Sequence, residues 1–330
     1  MKNKKKIIKI VENLVSFGTR QGKATLCAGN YIEEFLKTAK VPFRIEKISA
    51  TIPAVVRATL KVDGKDLPCK STSFVSGSLK GNNSLTSSLI SSKYLIDTPN
   101  INFNPQSESI SRSNFYFAPS VAVRREDVMR IICARDVLVK IKVRKERYQL
   151  PQFLVGNSKT PEIILFTHFD SIGPGAVDNA SGTAVCLSLI IRNPLLLKKT
   201  LVVLDPHEEL SYDTPTYWGK GYRIFEERHS ELLNNSRGII VVDSVGNGHP
   251  KLFNEKKILN LSFPVKNLAR YSLKIVSVAA DINGLMEIYH SDGDVIEKVE
   301  ERYLLEAVAA VKRLIRDSSR QKIKNSTTSK

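Results

Sequence analysis

Imidazoles and carboxylates recur along the second half of the chain in a pattern that suits metal ions. His168 and Asp170 stand two residues apart, just after the apolar run Ile163-Ile164-Leu165-Phe166. In extended chain that spacing points both side chains to one side. It suits a metal-bound imidazole whose ring is oriented by a carboxylate behind it. Gly173, Pro174 and Gly175 force a turn, and Asp178-Asn179-Ala180-Ser181-Gly182 then leads into an apolar helix. Glu208-Glu209 follows the run TLVVLD, Asp243 follows GIIVV, and His290 follows LMEIY. One histidine and one aspartate describe any polar loop with a satisfied imidazole. Acids and imidazoles at successive strand ends describe a rim on which ligands converge.

Two histidines with three or four carboxylates suit two borderline-hard divalent ions, zinc first, with cobalt or manganese as alternatives. Two such ions about 3.5–4 Å apart are best held by a carboxylate that bridges them. Each ion then takes one histidine and one further carboxylate. Neighbours in Glu208-Glu209 point in different directions, so one can bind metal while the other takes a proton from water. His207, His229 and His249 read as loop or surface residues.

These side chains need a scaffold. From 151 to 316 strand-like and helix-like runs alternate, the α/β pattern. The strands are expected at 162–167, 200–205, 238–243, 273–278 and 285–290, and the helices at 180–192, about 221–234 and 295–316. Residues 4–39 read as two helices, with Thr25 as the cap of the second. Val41 to Ile52 reads as extended chain interrupted at Pro53. Between about 50 and 150 short β-like runs (AVVRATLKV, DVLVKIKV) flank a Ser/Asn-rich region, which predicts an inserted β-rich subdomain with exposed loops. A flexible surface excursion is the alternative for part of it. The expected division is a catalytic domain from 1–49 and 151–316, the insertion at 50–150, and a frayed basic tail at 317–330.

The bulk numbers are those of a globular chain: 330 residues, 42% apolar and 25% charged. Four cysteines, far apart and in no CxxC arrangement, exclude a zinc finger or a dense disulfide framework. They predict free thiols in a reducing compartment. No run of about 18 apolar residues is present, which predicts no membrane span. The N-terminal MKNKKKIIKIVENLVSF has no continuous apolar core, so a cytoplasmic protein is expected. The net charge of +17 is spread along the chain, with no aromatic-interleaved basic motif. A solvated basic surface is expected rather than a nucleic-acid site.

The ordered set HFD, DNASG, Glu-Glu, a post-strand Asp and a late His resembles the dinuclear zinc exopeptidase family that includes bacterial leucyl aminopeptidases, aminopeptidase Y and glutamate carboxypeptidase. Gly18-Thr19-Arg20 and Asn30-Tyr31-Ile32-Glu33-Glu34-Phe35-Leu36 look like the family's opening loop and helix. Residues 118–142 look similar to the end of a protease-associated domain. The resemblance is strong over 163–291 and weak over 50–117. It implies a mixed, mostly parallel sheet flanked by helices. It implies two zinc ions, with Asp178 bridging, His168 and Asp243 completing one site, and Glu209 and His290 the other. Glu208 would be general base and then acid, Asp170 would buttress His168, and Tyr289 would hold the tetrahedral oxyanion. The implied reaction is removal of an N-terminal residue from a peptide. A glutaminyl cyclase-like single-zinc transferase, a non-catalytic binding protein on the same fold, and a basic nucleic-acid-binding protein are the rivals.

Two features depart from the family. Leu210-Ser211-Tyr212-Asp213-Thr214-Pro215 stands where a Gly and a Gly-Ser segment are usual. The short interval from Asp243 to His290 leaves little room for specificity loops, so an open site is expected.

Overall fold

The computed structural model describes residues 6–82, 84–89, 96–213 and 216–326. Its centre is β9 (Ile163–His168), buried at every position. Parallel neighbours β10 (Thr200–Asp205) and β11 (Gly238–Val242) flank it, and β13 (Ile275–Ala279) extends the parallel run beyond β11. The other strands of this sheet are β12 (Lys251–Phe253), β8 (Val137–Gly156), β1 (Phe43–Val62), β2 (Lys65–Leu67) and β4 (Gly77–Lys80). The order is β12-β13-β11-β9-β10-β8-β1-β2, with β4 pairing β8. The sheet is therefore mixed, with a parallel centre.

Both faces of that centre are covered, which is why its strands are continuous apolar runs rather than alternating ones. Ile163, Leu165, Val202, Leu204, Ile240 and Val242 face one core. Helices α1 (Ile7–Val15), α2 (Lys23–Thr38), α4 (Gly182–Arg192) and α9 (Glu301–Ser326) pack there. Ile164, Phe166, Leu201, Val203, Ile239 and Val241 face the other. There they meet α5 (Lys220–Asn235), α6 (Lys256–Ser262) and α7 (Leu268–Tyr271).

β1 and β8 pair from Phe43↔Val155 to Val62↔Val137, with one register shift between Val55 and Arg57. This ribbon leaves the main sheet and carries a small second sheet, β3 (Lys70–Ser71), β7 (Ser120–Val123), β6 (Asn100–Phe103) and β5 (Leu85–Ser87). The short helix α3 (Val128–Ile132) follows β7, and α8 (Ile282–Met286) follows β13.

Several expectations need correction. β1 runs through Pro53 without a break, where Pro53 pairs Lys145. β2 covers only Leu60 to Val62 of β1, so the proline sits where that strand is an edge, a place that tolerates a missing N–H. Thr25 is not the cap of α2: Gly22 precedes the helix, and the Thr25 hydroxyl donates to the Arg20 carbonyl at 2.7 Å. Residues 285–290 are not a strand. Asp281, two residues beyond β13, accepts the Asn283 N–H, capping α8 in the manner that favours a helix. The expected frayed tail is helical as far as Ser326, in a run free of glycine and proline, and residues 327–330 lie outside the described ones. Among the described residues no helix is long and apolar enough to cross a membrane.

Candidate metal centre

Three parallel strands end at one rim. His168 closes β9, Asp243 directly follows β11, and Glu208 and Glu209 lie just beyond β10. The fourth contributor, His290, sits in a turn after α8 with φ +52°.

The loop after β9 is pinned from beneath by Arg20, which is fully buried. Its guanidinium donates to the carbonyls of Phe169 (2.7 Å), Pro174 (2.7 Å) and Gly175 (2.8 Å). Burial lowers its pKa to about 10, and the carboxylates of Asp294 and Asp170 work in the opposite sense. Asp178 is presented by two more devices. Its N–H and that of Val177 donate to the Asp294 carboxylate at 3.0 and 2.7 Å. Asn179 accepts from the N–H groups of Gly182 (2.9 Å) and Ser244 (3.2 Å) and donates to the Val242 carbonyl (3.0 Å). A Cβ on Gly182 would lie 2.3 Å from Asn179 Oδ1 and 2.7 Å from the Val242 carbonyl oxygen. The glycine of DNASG is thus required by close approach. The Asp178–Asn179 peptide is cis.

The two oxygens of Asp178 face different imidazoles. Oδ1 is 3.4 Å from His168 Nε2, and Oδ2 is 3.4 Å from His290 Nε2. Asp243 Oδ1 is 3.5 Å from His168 Nε2, and Glu209 Oε2 is 2.8 Å from His290 Nε2. Behind His168, Asp170 Oδ1 stands 3.3 Å from Nδ1. The Asp170 carboxylate also accepts the N–H groups of Glu208 and Glu209, both at 3.0 Å, so it ties the β9 loop to the acid pair. His290 Nδ1 faces the Arg112 carbonyl at 3.3 Å. A carbonyl only accepts, so this contact keeps a proton on Nδ1, and Nε2 is the nitrogen that faces a metal once it gives up its own proton.

This donor set fits divalent metal. Ligands about 2.0–2.1 Å from a tetrahedral zinc lie about 3.3 Å apart, close to three of the four imidazole–carboxylate spacings. Those spacings are long for hydrogen bonds. Buried polar atoms are normally satisfied, yet Glu209 Oε1 is buried with no hydrogen-bond partner. Ligand atoms of His168, Asp178 and Glu209 lie within 4.8 Å of one another.

The electrostatics of the metal-free chain are those of packed acids and imidazoles. Burial pulls His168 and His290 down. The carboxylates facing them outweigh it, lifting His168 well above its ordinary value and His290 to about 10. Burial pushes Glu209 up to about 7 and Glu208 well above the usual carboxylate range, with neighbouring carboxylates adding to both. Asp178 goes the other way: burial opposes ionisation, but the two imidazoles hold it far below.

A cavity of about 320 Å³ opens on these residues. Trp218, Phe253, Ile258, Leu261, Leu285 and Met286 form much of its wall. Tyr289 lines it too, stacked on the His290 ring with centroids 3.7 Å apart. Burial, with the nearby Asp178 carboxylate, keeps its phenol protonated. The segment between β1 and β8 contributes Ser88, Leu89, Ser113 and Asn114. An open site was expected, but His168, Asp178, Glu208, Glu209 and His290 are each at most 6% exposed. The short 243–290 interval itself builds much of the wall, and residues carried on the β1–β8 ribbon close the remainder.

Thus the eight residues named from the sequence as site residues come together. Of the histidines set aside, His229 contacts Glu46 at 3.0 Å and His249 is exposed beside Glu306. His207 lies in the loop after β10, as read, but buried there at 1% exposure, and burial holds it neutral with a pKa of about 4. In the loop after Glu209, Tyr212 donates to the Phe74 carbonyl at 2.7 Å, while Thr214 and Pro215 lie outside the described residues. Sequence reasoning missed Asp294, the orienting role of Asn179 and the Arg112 carbonyl. A following DG-D at 292–294 gives no spacing signal that would have found the first.

Residues 153–204 match the model of Peptidase family M28. The whole fold is similar to that of a zinc aminopeptidase from Bacillus subtilis, at 16% identity and a TM-score of 0.66, covering 95% of this chain and 94% of that one. It is also similar to an aminopeptidase from Aneurinibacillus sp. strain AM-1 (14% identity, TM-score 0.60, 97% and 93% covered). A Porphyromonas gingivalis glutaminyl cyclase is a more distant likeness (12% identity, TM-score 0.51, 94% and 97% covered). Comparison with curated proteins gives no significant match.

Proposed function

We propose, from the premise that this chain shares the fold of the zinc aminopeptidases and carries the Peptidase family M28 match, that it is a dizinc aminopeptidase removing N-terminal residues from peptides. Asp178 would hold both ions, His168 and Asp243 one, and Glu209 and His290 the other. The observation that carries this reading is Asp178, whose two oxygens each face a different imidazole at 3.4 Å. Bound there, zinc supplies Lewis acidity that polarises the scissile carbonyl and lowers the pKa of water toward about 7.

The chain's own groups supply the rest. Glu208 lines the cavity without a hydrogen bond to its carboxylate among the described residues, so it is free to take a proton from the attacking water and return it to the leaving amine. The Tyr289 phenol, kept protonated, is a donor for the developing oxyanion. Asp170 holds the His168 ring and the backbone of the acid pair in register.

Which terminus binds is argued from charge. Asp178, Glu208, Glu209 and Asp243 line the cavity, and among the described residues no lysine or arginine does. With three of these acids assigned to zinc, Glu208 is the carboxylate left to face a free α-ammonium, and no side-chain cation stands ready for a terminal carboxylate. The apolar wall suits an apolar first side chain. A reducing cytoplasm suits the four free cysteines.

Glu208→Gln is the test. It should slow peptide hydrolysis about 10²–10⁴-fold with both zinc ions retained. Unchanged hydrolysis would remove Glu208 as the base, and one zinc per chain would support a cyclase-like site instead.

A further inference from the structure

The two imidazoles of the site are held by different parts of the chain. His168 has its orienting carboxylate two residues away, at Asp170. His290 has none. Its turn adopts a left-handed backbone at φ +52°, which a non-glycine residue holds only when its surroundings impose it.

Those surroundings come from the insertion. Three carbonyls of the His290 turn accept hydrogen bonds from it. Asn104 Nδ2 donates to Met286 at 2.8 Å, Ser111 Oγ to Tyr289 at 2.6 Å, and the Arg112 N–H to His290 at 2.9 Å. In return His290 Nδ1 donates to the Arg112 carbonyl. Ser111 and Ser291 form an antiparallel bridge. Asn104, Ser111 and Ser113 are buried and bonded to one another, with Ser111 Oγ 2.6 Å from Ser113 Oγ and 3.3 Å from Asn104 Nδ2. This polar knot lies far in sequence from the turn it holds.

We propose that residues 104–113 of the insertion form a positioning element for the metal site. Asn104 and Ser111 fix the His290 turn, and so set the affinity of the ion shared by His290 and Glu209, while the ion at His168 and Asp243 is independent of the insertion. The inference rests on His290 being a ligand. A neutral carbonyl also makes a weaker partner for an imidazole than the Asp170 carboxylate does. The His290 ion is therefore the weaker of the two, and its occupancy depends on the insertion staying docked.

The test is zinc titration of the metal-free full-length protein, with cobalt spectra as a second readout of each site. Ser111→Ala removes the hydroxyl donor, Asn104→Asp replaces the amide donor by an isosteric acceptor, and His290→Ala is the control. Wild type should show a tight and a weaker event, and His290→Ala should lose the weaker one. Ser111→Ala and Asn104→Asp should weaken that event about 10–100-fold and leave the tight event in place, and Ser111→Ala should leave the thermal unfolding of the metal-free protein near wild type. Unchanged binding in both variants, beside a His290→Ala that loses one ion, would overturn the positioning role alone. Equal weakening of both events would mark general loosening and also overturn it. Two undiminished events in His290→Ala would overturn the ligand assignment and the inference with it.

Discussion

At the scale of single residues the site is a balance between burial and paired charge. Without metal, burial works against the charged form of His290, yet the Glu209 and Asp178 carboxylates lift its pKa to about 10. His168 is lifted too. Both imidazoles therefore carry protons at neutral pH, and Glu209, pushed up to about 7, is partly protonated. Zinc binds the deprotonated ligands, so binding must release protons. The sign follows: apparent zinc affinity rises with pH through the neutral range and falls in acid, by up to about tenfold per pH unit for each proton displaced. Calorimetric titration in buffers of different ionisation enthalpy counts those protons. A pH-independent affinity would mean that the imidazoles are already free. A second residue-scale expectation concerns Asp170, whose oxygens accept the N–H groups of both Glu208 and Glu209. Asp170→Asn turns one acceptor into a donor facing an N–H, and should weaken zinc binding about 10–100-fold, read by competition with a chromophoric chelator.

At the scale of elements, the strand–loop–helix unit from Ile163 to Arg192 needs its backbones very close. Gly182 sits under Asn179 with no room for a methyl group. Gly182→Ala should cost about 1–3 kcal/mol by overpacking and displace Asp178 with Asn179. Thermal unfolding and zinc titration together would read both effects, and a variant normal in each would show that the contact yields. This unit was legible in the sequence because its signals are local: an apolar run, a Gly-Pro-Gly turn, then an apolar helix. The candidate ligands at the ends of β9, β10 and β11 were legible for the same reason. His290 was legible as a residue but not as a conformation. LMEIYH has a strand's composition, and the decisive signal was the Asp281 cap upstream. Asp294, Asn104 and Ser111 were not legible at all. Ser111 and Tyr289 are 178 residues apart, and no periodicity links positions that meet only through tertiary contact.

At the scale of the molecule, the segment between β1 and β8 belongs to the site as much as to the ribbon that carries it. Phe74 is 1% exposed and stacks on Phe117 with centroids 4.4 Å apart. It also meets Tyr212 and Tyr217 of the loop after Glu209 at 5.0 and 5.6 Å. Tyr217 in turn accepts the Phe115 N–H at 3.1 Å. The small unit is thus latched to the acid-pair loop by aromatic packing and to the His290 turn by hydrogen bonds. Phe74→Ala should cost about 3–5 kcal/mol, seen as a lower denaturant midpoint. It should also lower kcat/KM more than the stability loss explains, because the cavity wall loosens with it. Two lysines join the latch, Lys70 pairing with Asp292 beside the His290 turn and Lys145 standing 4.4 Å from the centre of the Tyr212 ring, although among the described residues no lysine or arginine lines the cavity.

Hydrolysis of paired free-amino and N-acetylated tripeptides, by metal-free and by zinc-loaded protein, decides whether this chain is a zinc aminopeptidase. An aminopeptidase whose cavity is lined by carboxylates and apolar side chains cuts only the free-amino member of each pair, only with zinc, and fastest where the first residue is apolar. Equal cutting of the acetylated peptides, or release of C-terminal residues instead, would contradict it.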